Sequence, residues 1–492
     1  MKKLGLVKDL KRIEDHKQIN VDENEYGTIE FNKRLYQGYV REWHDLRYLN
    51  TNQKIVERRQ KTLNMPKVLA KKMARLVMNE GVNISLAKDS DKKQQWERVQ
   101  DVFTSNKFIR ELQRYLEYMF AMGGVALEIY LDGDQPKIAY ATADAFFPIS
   151  SDTEQVDEAV IANQFRKGEY VYTLLKWHEW GEYGKFNYRI KNELYRSKEF
   201  GTIGEKTNLK EAFDDMEKVT FFNRETPLFI YMKPNEANNK SITSPLGLSM
   251  FDVAYDTMQM LDVMYDFWYT EFRLGKRRVA VPEHLVKTAH DENGRPYIYF
   301  DDSEELFLAM NSQEMDEMQV KDLTIDLRVE DVTKSIQSML DILSMQVGLS
   351  PGTFTFTQQG MKTATQVVSE NSETYQTRSS HLSIVEDALR DLIVAVYEVV
   401  TMTDEEEGER LDRMDISIDF NDGVFTDSQS LYAYWSQGFK DGLVPKKETI
   451  KRIYKLSDDE AEEWMQEISA AGRQEVVNRR QAIAQAELEI ET

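Results

Sequence analysis

Along the centre of the chain, apolar and polar residues alternate at the three-and-four spacing of long amphipathic helices. The first such helix is predicted over about Leu246 to Leu274, after Pro245 and before Gly275, a residue suited to a left-handed helix end. A helix of that length spans roughly 40 Å. Few monomeric domains need so long an element, whereas a ring with a channel does. The apolar positions of its predicted buried face are Phe251, Tyr255, Met258, Leu261, Tyr265, Trp268 and Phe272.

Carboxylates recur at the same spacing on another face of this helix. A solvated surface is one interpretation of this face, and a tunnel wall that repels phosphates and keeps passing DNA mobile is the other. The residues concerned are Asp252, Asp256, Asp262 and Asp266. Directly after the helix, Lys276, Arg277 and Arg278 are placed to offset its dipole. Around a ring, the same three residues would also form a basic collar.

A second amphipathic helix is predicted over about Val329 to Val347, where apolar residues follow a heptad-like spacing that ends at Gly348. Pro351 and Gly352 then break the helix, and a loop of alternating hydroxyl and aromatic residues follows. Because glycines flank this loop, exposure is at least as reasonable as burial. Its singled-out residues are Thr353, Phe354, Thr355, Phe356, Thr357, Gln358, Gln359 and Lys362. A third long helix is predicted from about 363 to 402.

The rest of the chain predicts a mixture of helices and strands. Residues 1–60 are predicted to be mostly helical, and a helix from Phe108 to Met122 ends at a glycine pair. The insert at 276–328 is predicted to be a small α/β tip with a turn at Asn293 and Gly294. Further strands are predicted at 125–132, 136–144, 146–150, 158–166, 170–181, 185–195 and 414–423, with helices over 425–492. The predicted fold class is therefore α+β, and mainly helical.

Composition narrows the class of protein. A chain of 492 residues with 41% hydrophobic residues is long enough for two to four folding units with real cores. The formal charge of -22 argues against a general nucleic-acid binder, though not against a channel through which DNA slides. Cysteine is absent, which fits a reducing cytoplasm. No run of about 18 uncharged apolar residues predicts a membrane span, and the N-terminus lacks the apolar run of a signal peptide.

A search for catalytic motifs gives no support for an enzyme or a cofactor. The chain has no phosphate-binding glycine loop, no metalloprotease helix and no nucleophile elbow. His178 alternates with bulky residues in a predicted strand, which favours a structural role over that of a base. Asp415, Asp419 and Asp422 are the one carboxylate group that would suit a divalent cation. Carboxylates on the wet face of a strand are the commoner explanation, so no metal site is predicted.

Several long stretches resemble the portal protein of tailed bacteriophages, especially the siphophage portals of Gram-positive hosts. Three of them come from the central helices and their flanks: TSPLGLSMFDVAYDT, EFRLGKRRVAVPE and DLRVEDVTKSIQSMLDILSMQVGLSPGTFTF. The others are NMPKVLAKKMARLVMNE, YTLLKWHEW with NELY, and KTATQVVSENSETYQTRSSH. They are distributed from about residue 60 to 400, whereas the part beyond Phe425 resembles the family less distinctly.

The resemblance implies a ring, usually of twelve subunits, at one capsid vertex of a virion assembled in the host cytoplasm. Its implied partners are the large terminase subunit, a head-completion or adaptor protein, major capsid and scaffolding proteins, and double-stranded DNA that passes without sequence specificity. No membrane and no catalytic residue are implied, since ATP hydrolysis is the task of the terminase.

The resemblance also assigns parts of the chain to the parts of a portal subunit. The wing would comprise residues 1–245 and 363–424, the two stem helices 246–275 and 329–348, and the clip 276–328. Residues 349–362 would form the tunnel loop, and 425–492 the crown.

Two alternatives from other classes remain open at this point. The heptad-like helices alone would also allow a capsid-associated scaffold without a channel. A metal-dependent nuclease would have to use Asp415, Asp419 and Asp422. Closed particles with a central hole distinguish the first class from the scaffold, and divalent-ion-dependent DNA cleavage would reveal the nuclease.

Overall fold

The computed structural model describes residues 9–10, 12–49, 53–78, 82–86, 93–133, 135–152, 155–275, 279–280, 287–290, 294, 296–299, 321–322, 326–355, 372–402, 410–420, 428–454, 456 and 461–469. Its helices are α1 Glu23–Tyr36, α2 Arg41–His44, α3 Met65–Val77, α4 Lys93–Ser105, α5 Phe108–Met122, α6 Tyr255–Leu274, α7 Val329–Gln346, α8 Ser372–Met402, α9 Ser428–Lys440 and α10 Lys446–Tyr454. Residues 461–469 are also helical. Among the described residues, no helix is both long enough and apolar enough to cross a membrane.

The strands complete a mixed α/β fold, as predicted. They are β1 Asp9–Leu10, β2 Asp45–Leu49, β3 Ile55–Arg59, β4 Val82–Leu86, β5 Val125–Asp132, β6 Gln135–Thr142, β7 Phe146–Ser151, β8 Val156–Lys167, β9 Tyr170–Tyr183, β10 Phe186–Ser197, β11 Gly204–Thr207, β12 Val219–Phe222, β13 Phe229–Met232, β14 Val279–Ala280, β15 Lys287–His290, β16 Pro296–Tyr299, β17 Lys321–Asp322 and β18 Ile416–Phe420. The chain divides into two compact units: the first holds the described residues within 1–77, 85–358 and 376–417, and the second those within 78–84, 359–375 and 418–492.

The largest element of the first unit is an antiparallel seven-stranded sheet in the order β1-β11-β10-β9-β8-β7, with β12 also paired to β10. Its three long central strands form a meander, and the turns contain Gly168 and Gly184 at φ 65° and 71°. Glycine reaches this left-handed region at little cost. Consecutive side chains are buried in the middle of these strands, among them Val160, Leu175 and Trp177, so both faces of the sheet are covered there. The predicted strand ladder is thus confirmed, with strands a few residues longer than expected.

A smaller sheet, in the order β13-β5-β6, follows helix α5. Helix α5 has the predicted bounds and buries Leu112, Leu116 and Met119. It ends at Gly123, whose φ is 90° and where a Cβ atom would lie 2.5 Å from the carbonyl oxygen of Gly247. The glycine pair therefore serves a turn and a close backbone approach, not phosphate binding.

The start of the first long helix differs from the prediction. Helix α6 begins at Tyr255 after a 3-10 turn over Asp252–Ala254, not at Leu246. The backbone N–H of Met250 and the hydroxyl of Ser249 both donate to the carbonyl oxygen of Phe120, each at 3.1 Å. Because these contacts hold the segment against the end of α5, its backbone groups are not available for a helix.

The N-terminal region also differs, since it is not mostly helical beyond α1. Strands β2 and β3 pair as an antiparallel hairpin, from Asp45 opposite Arg59 to Leu49 opposite Ile55. Most of its side chains are exposed. A two-stranded hairpin of this kind is marginal by itself, and its anchor lies in the contacts with α6 described below.

The insert between α6 and α7 falls largely outside the described residues. Strand β14 pairs with β17, and β15 pairs with β16. Gly294, between β15 and β16, has a φ of 72°, which agrees with the predicted turn. These short strands agree with the strand part of the predicted α/β tip.

Strand β4 pairs with β18, and in the second unit α9 and α10 form a helical hairpin. Gly442, between the two helices, has a φ of 72°. Ile450 and Ala461 are buried, and the ring of Tyr454 lies 5.3 Å from that of Trp464. Helices in this region were predicted, and the described part confirms them.

Candidate functional site

Helices α6 and α7 pack against each other within the first unit as an antiparallel pair. At one end, Arg328, which precedes α7, donates to Glu271 near the end of α6 through Nε at 3.1 Å and Nη2 at 2.8 Å. At the other end, α7 contacts the 3-10 turn that precedes α6. The buried apolar side chains of the two helices are Met258, Leu261, Val332, Ile336, Leu340 and Leu343. The apolar row of α7 is thus buried as predicted, whereas on the predicted face of α6 Tyr255, Tyr265 and Trp268 are half-buried and Phe272 is exposed.

The two glycines predicted to end these helices do so differently. Gly348 directly follows the end of α7, as predicted, and its φ of 68° lies in the left-handed region. Gly275 has a φ of -77°, so the expected left-handed end is wrong. A Cβ atom there would lie 2.1 Å from Cδ2 of Leu327, so close packing explains the glycine.

The acidic residues of α6 do not share one exposed face, which corrects the sequence-based expectation. Asp256 is exposed, but Asp252, Asp262 and Asp266 are no more than 7% exposed. Carboxylates buried to this degree need partners. Each of the three binds a cationic or N–H group from a segment N-terminal to α6.

Asp266 binds the β2–β3 hairpin. Its Oδ1 and Oδ2 accept from Nη1 and Nη2 of Arg58 at 2.7 and 2.5 Å, and Oδ1 also accepts from the backbone N–H of Lys61 at 3.0 Å. The hydrogen bonds from Arg58 lower the pKa of Asp266. A bidentate pair between guanidinium and carboxylate fixes orientation as well as distance, so Arg58 sets the hairpin against α6.

Asp262 binds the chain on either side of that hairpin. Its Oδ1 accepts from the backbone N–H of Leu63 at 2.9 Å, and its Oδ2 lies 3.2 Å from Nε2 of His44. The Nδ1 atom of His44 accepts from the backbone N–H of Val40 at 2.8 Å. The same Nδ1 also lies 3.0 Å from the carbonyl oxygen of Val40. Because a carboxylate can only accept, Nε2 is the atom that donates to Asp262.

Asp252 binds a third segment. Its Oδ1 accepts from Nζ of Lys240 at 2.7 Å and from the hydroxyl of Tyr255. Glu236 is close enough that burial, followed by the charge of Asp252, raises its pKa to about 7. A cavity of about 170 Å³ lies beside this cluster and is lined in part by Asn32, Lys240 and Ser249. No histidine lines this cavity, and the chain has no cysteine. A histidine base and a cysteine nucleophile are therefore both missing from its lining.

The loop after α7 is fixed at its start by two side chains of that helix. The carboxylate of Asp341 accepts from the backbone N–H of Gly352 at 3.0 Å, and Nε2 of Gln337 donates to the carbonyl oxygen of Phe354 at 2.9 Å. Phe354 is partly buried and Thr355 is exposed. The loop residues that lie outside the described part of the chain are Phe356, Thr357, Gln358, Gln359 and Lys362.

Two further groups predicted from the sequence are only partly described. Lys276, Arg277 and Arg278 lie outside the described residues, as does Asp422. In β18, Ile416 and Ile418 are buried and Asp419 is exposed, as expected for a strand with one wet face. Among the described residues, no three His, Cys, Asp or Glu side chains are grouped so that they could hold a metal ion.

His178, the histidine considered as a base, is fully buried in the large sheet. Its Nδ1 lies 2.7 Å from the hydroxyl of Tyr188, and its Nε2 lies 3.4 Å from Oε1 of Glu128. Burial acts to raise the pKa of Glu128, but the charge of Lys176 together with the contacts to His178 and Lys176 outweighs burial, and the pKa is lowered. Glu128, His178 and Tyr188 belong to β5, β9 and β10, so these contacts join strands of the two sheets.

Sequence reasoning missed His44, Arg58 and Lys240 as the partners of the α6 carboxylates. The alternation of polar and apolar residues in DLRYL and the β-branched pair Ile55 and Val56 were available signals for the hairpin. Nothing local pairs Arg58 with a carboxylate 208 residues away. That contact exists only in the folded chain.

The comparison that decides the family is a family model. The model described as phage portal protein, SPP1 Gp6-like, matches residues 15–474. The chain belongs to the phage portal protein family.

Two solved structures resemble this portal family member at low sequence identity. A chain of the virion of a native gene transfer agent (GTA) particle is 10% identical, with a TM-score of 0.43, over 79% of this chain and 89% of the other. A chain in the neck of an empty GTA particle computed with C6 symmetry is 8% identical, with a TM-score of 0.42, over 80% of this chain and 90% of the other. No curated protein matches the sequence.

Proposed function

We propose that copies of this chain form a closed ring at one vertex of a phage capsid, through which double-stranded DNA enters and leaves. The observation that carries the proposal is the portal family match over residues 15–474. The antiparallel pair of α6 and α7, joined by an insert at one end, supports the assignment of these helices to a stem and of the insert to a clip. The expected ring size is twelve.

The ring would work as an assembly platform and a conduit rather than as an enzyme. Its partners would be the large terminase subunit, which supplies ATP hydrolysis, a head-completion or adaptor protein, and the capsid and scaffolding proteins. We place the particle in the virion, after assembly in the host cytoplasm. A formal charge of -22 per chain, repeated around a ring, disfavours tight DNA binding and so supports a conduit.

Of the four carboxylates predicted to line the stem, Asp256 alone is exposed. It is therefore the one that remains available to face DNA. We assign the collar role to Lys276, Arg277 and Arg278, and the tunnel-loop role to residues from Thr353 to Lys362. The fixed loop start at Gly352 and Phe354 supports this, since it sets the direction in which the chain leaves α7.

Imaging of the purified protein tests the proposal directly. Negative-stain microscopy with light scattering should show closed rings with a central hole wide enough for a DNA duplex. Particles that stay monomeric, or that assemble without a hole, would contradict the proposal, and the second outcome would favour the scaffold.

A packaging assay tests the loop assignment. Replacing Phe354 and Phe356 with glycine should leave ring formation intact and reduce the amount of DNA packaged. Failure of the variant to fold would show instead that the two phenylalanines belong to the core.

A further inference from the structure

Helix α3 carries an exposed row of cations, which we call the α3 basic row. It consists of Lys67, Lys71 and Arg75, all of which are exposed. The three residues follow each other at intervals of four, so they lie on one side of the helix, about 6 Å apart along its axis. The other side of the helix is buried and contains Leu69 and Met73. The helix contains no aspartate or glutamate that could balance the row.

The cations of α5, the helix that packs against α3, have carboxylate partners. Arg110 and Arg114 share Glu111, at 3.3 and 3.4 Å. In the α3 basic row, Nζ of Lys67 lies 5.6 Å from the ring of Tyr36, a contact that does not neutralise its charge. Within the described part of the chain, no carboxylate pairs with any member of the row. A chain with a formal charge of -22 thus leaves three neighbouring cations available to an anion from outside.

The end of α3 lies beside the start of the loop that follows α7. Helix α8 joins the two, because Oγ1 of Thr377 donates to the carbonyl oxygen of Gly348 at 2.6 Å. Nε of Arg378, the next residue, donates to the carbonyl oxygen of Leu76 at 2.6 Å. Leu76 directly follows Arg75. The α3 basic row therefore ends next to the loop to which we assign the tunnel role.

We infer that the α3 basic row binds the phosphate backbone of the double-stranded DNA that passes through the ring; the inference rests on the proposed function and names a surface that contacts the DNA. Duplex DNA carries one phosphate charge per roughly 1.7 Å of its axis. A row about 12 Å long therefore reaches several phosphates at once. Lysine and arginine bind phosphates without reading the sequence, as a conduit requires. The negative charge of the rest of the chain keeps these contacts weak and exchangeable.

DNA fits the α3 basic row better than the surface of another protein does. A protein interface needs an apolar centre from which water is excluded. Among the exposed residues of α3, the one apolar side chain is Val68, which is 40% exposed and lies between the cations. A single valine does not form such a centre. A polyanion needs only the charges, and the row supplies them.

Binding of a DNA duplex of mixed sequence to assembled rings of the full chain tests the inference. Fluorescence anisotropy measures the affinity between about 50 and 200 mM salt. Lys71→Gln with Arg75→Gln should weaken the affinity at least about tenfold at low salt, and should reduce the slope of log affinity against log salt by at least about 1. The matched control is Lys185→Gln with Lys198→Gln, which removes the same charge from exposed lysines at the two ends of β10 and should bind DNA like the parent.

A proximity test covers the case in which the α3 double variant assembles poorly. Because the chain has no cysteine, a single introduced cysteine is the only thiol that a cross-linker can label. Val68→Cys, labelled with an aryl azide, should cross-link to bound DNA on illumination. Lys198→Cys, labelled in the same way, should cross-link at background level. Circular dichroism and negative-stain images of each variant check that the fold and the ring are intact.

Equal DNA affinity of the α3 double variant and its control would overturn the inference, and so would equal cross-linking of Val68→Cys and Lys198→Cys. Loss of rings in the α3 double variant, with background cross-linking of Val68→Cys, would overturn it in favour of an acidic protein surface as the partner of the row. Parent rings that bind no DNA at about 50 mM salt would overturn it while the ring itself stands. Absence of rings in the unmodified protein would contradict the proposed function as well.

Discussion

Arg58 and Asp266 form a bidentate ion pair, with two N–H···O bonds of 2.7 and 2.5 Å between the β2–β3 hairpin and helix α6. The carboxylate is 9% exposed and the guanidinium 26%. The contact reveals what the acidic residues of α6 do inside one subunit. Asp262 and Asp266 hold the N-terminal hairpin and the segment after it against the helix.

Removal of the Asp266 charge should therefore destabilise the protein. Asp266→Asn leaves Arg58 partly buried without its counter-charge, and we expect a loss of about 3 kcal/mol in the free energy of unfolding. Chemical denaturation measures the loss, and hydrogen exchange should show faster opening of the hairpin amides from 45 to 59. In the double variant with Arg58→Met, part of the stability should return. Equal stability of Asp266→Asn and the parent protein would show that the pair contributes nothing.

Asp256 should act on DNA and not on folding. Asp256→Lys places a cation on the exposed side of α6, so DNA passage should slow and become more sensitive to salt, while the unfolding free energy should change by less than about 0.5 kcal/mol. Packaging assays at several salt concentrations measure the effect. Gln259→Lys is the matched control for added charge alone. If both variants package DNA at the parent rate, Asp256 does not face the channel.

Asp341 should hold the start of the loop that follows α7. Asp341→Ala removes the acceptor of the Gly352 N–H and a partner of Gln337. The amides from Gly352 to Thr355 should therefore exchange faster by at least about tenfold, which corresponds to the roughly 1.4 kcal/mol of one lost charge-assisted hydrogen bond. Mass-spectrometric hydrogen exchange measures this, with Ser338→Ala on the same helix as the control. Unchanged exchange would mean that other contacts fix the loop start.

His381 should make the stability of the fold depend on pH. Burial lowers its pKa to about 4, and its Nδ1 accepts from the backbone N–H of Asn235 at 3.1 Å, which a protonated ring cannot do. The unfolded chain, whose histidine titrates near 6.5, binds more protons than the folded chain between these values. Stability should fall as the pH drops from about 6.5 to about 4, by at most about 3 kcal/mol.

The variant His381→Gln isolates this contribution, because it keeps an acceptor for Asn235 but cannot be protonated. The difference in unfolding free energy between His381→Gln and the parent should change with pH across that window. Ser383→Ala, on the same helix, should show a constant difference. A constant difference for His381→Gln as well would assign any acid sensitivity to other groups.

Elements whose pattern is local were predicted well. Helix α5 has the predicted bounds, α7 differs by one residue, and the strands from β8 to β10 differ by one to two residues at their ends. In each case the spacing of the apolar residues and a glycine at the end were sufficient to predict the element. The start of α6 and the β2–β3 hairpin were predicted wrongly, because the end of α5 and the carboxylates of α6 decide them from far along the chain.

The sequence by itself determined the family, the long amphipathic helices and the residues that break them, since these depend on neighbours within a few turns. Only the tertiary structure decided which face of α6 is available to another molecule. The face of α6 on which the sequence places the carboxylates is mostly buried. Burial of these carboxylates is possible because Arg58, His44 and Lys240 bind them. Another side of the helix leaves Met260, Val263 and Phe267 exposed.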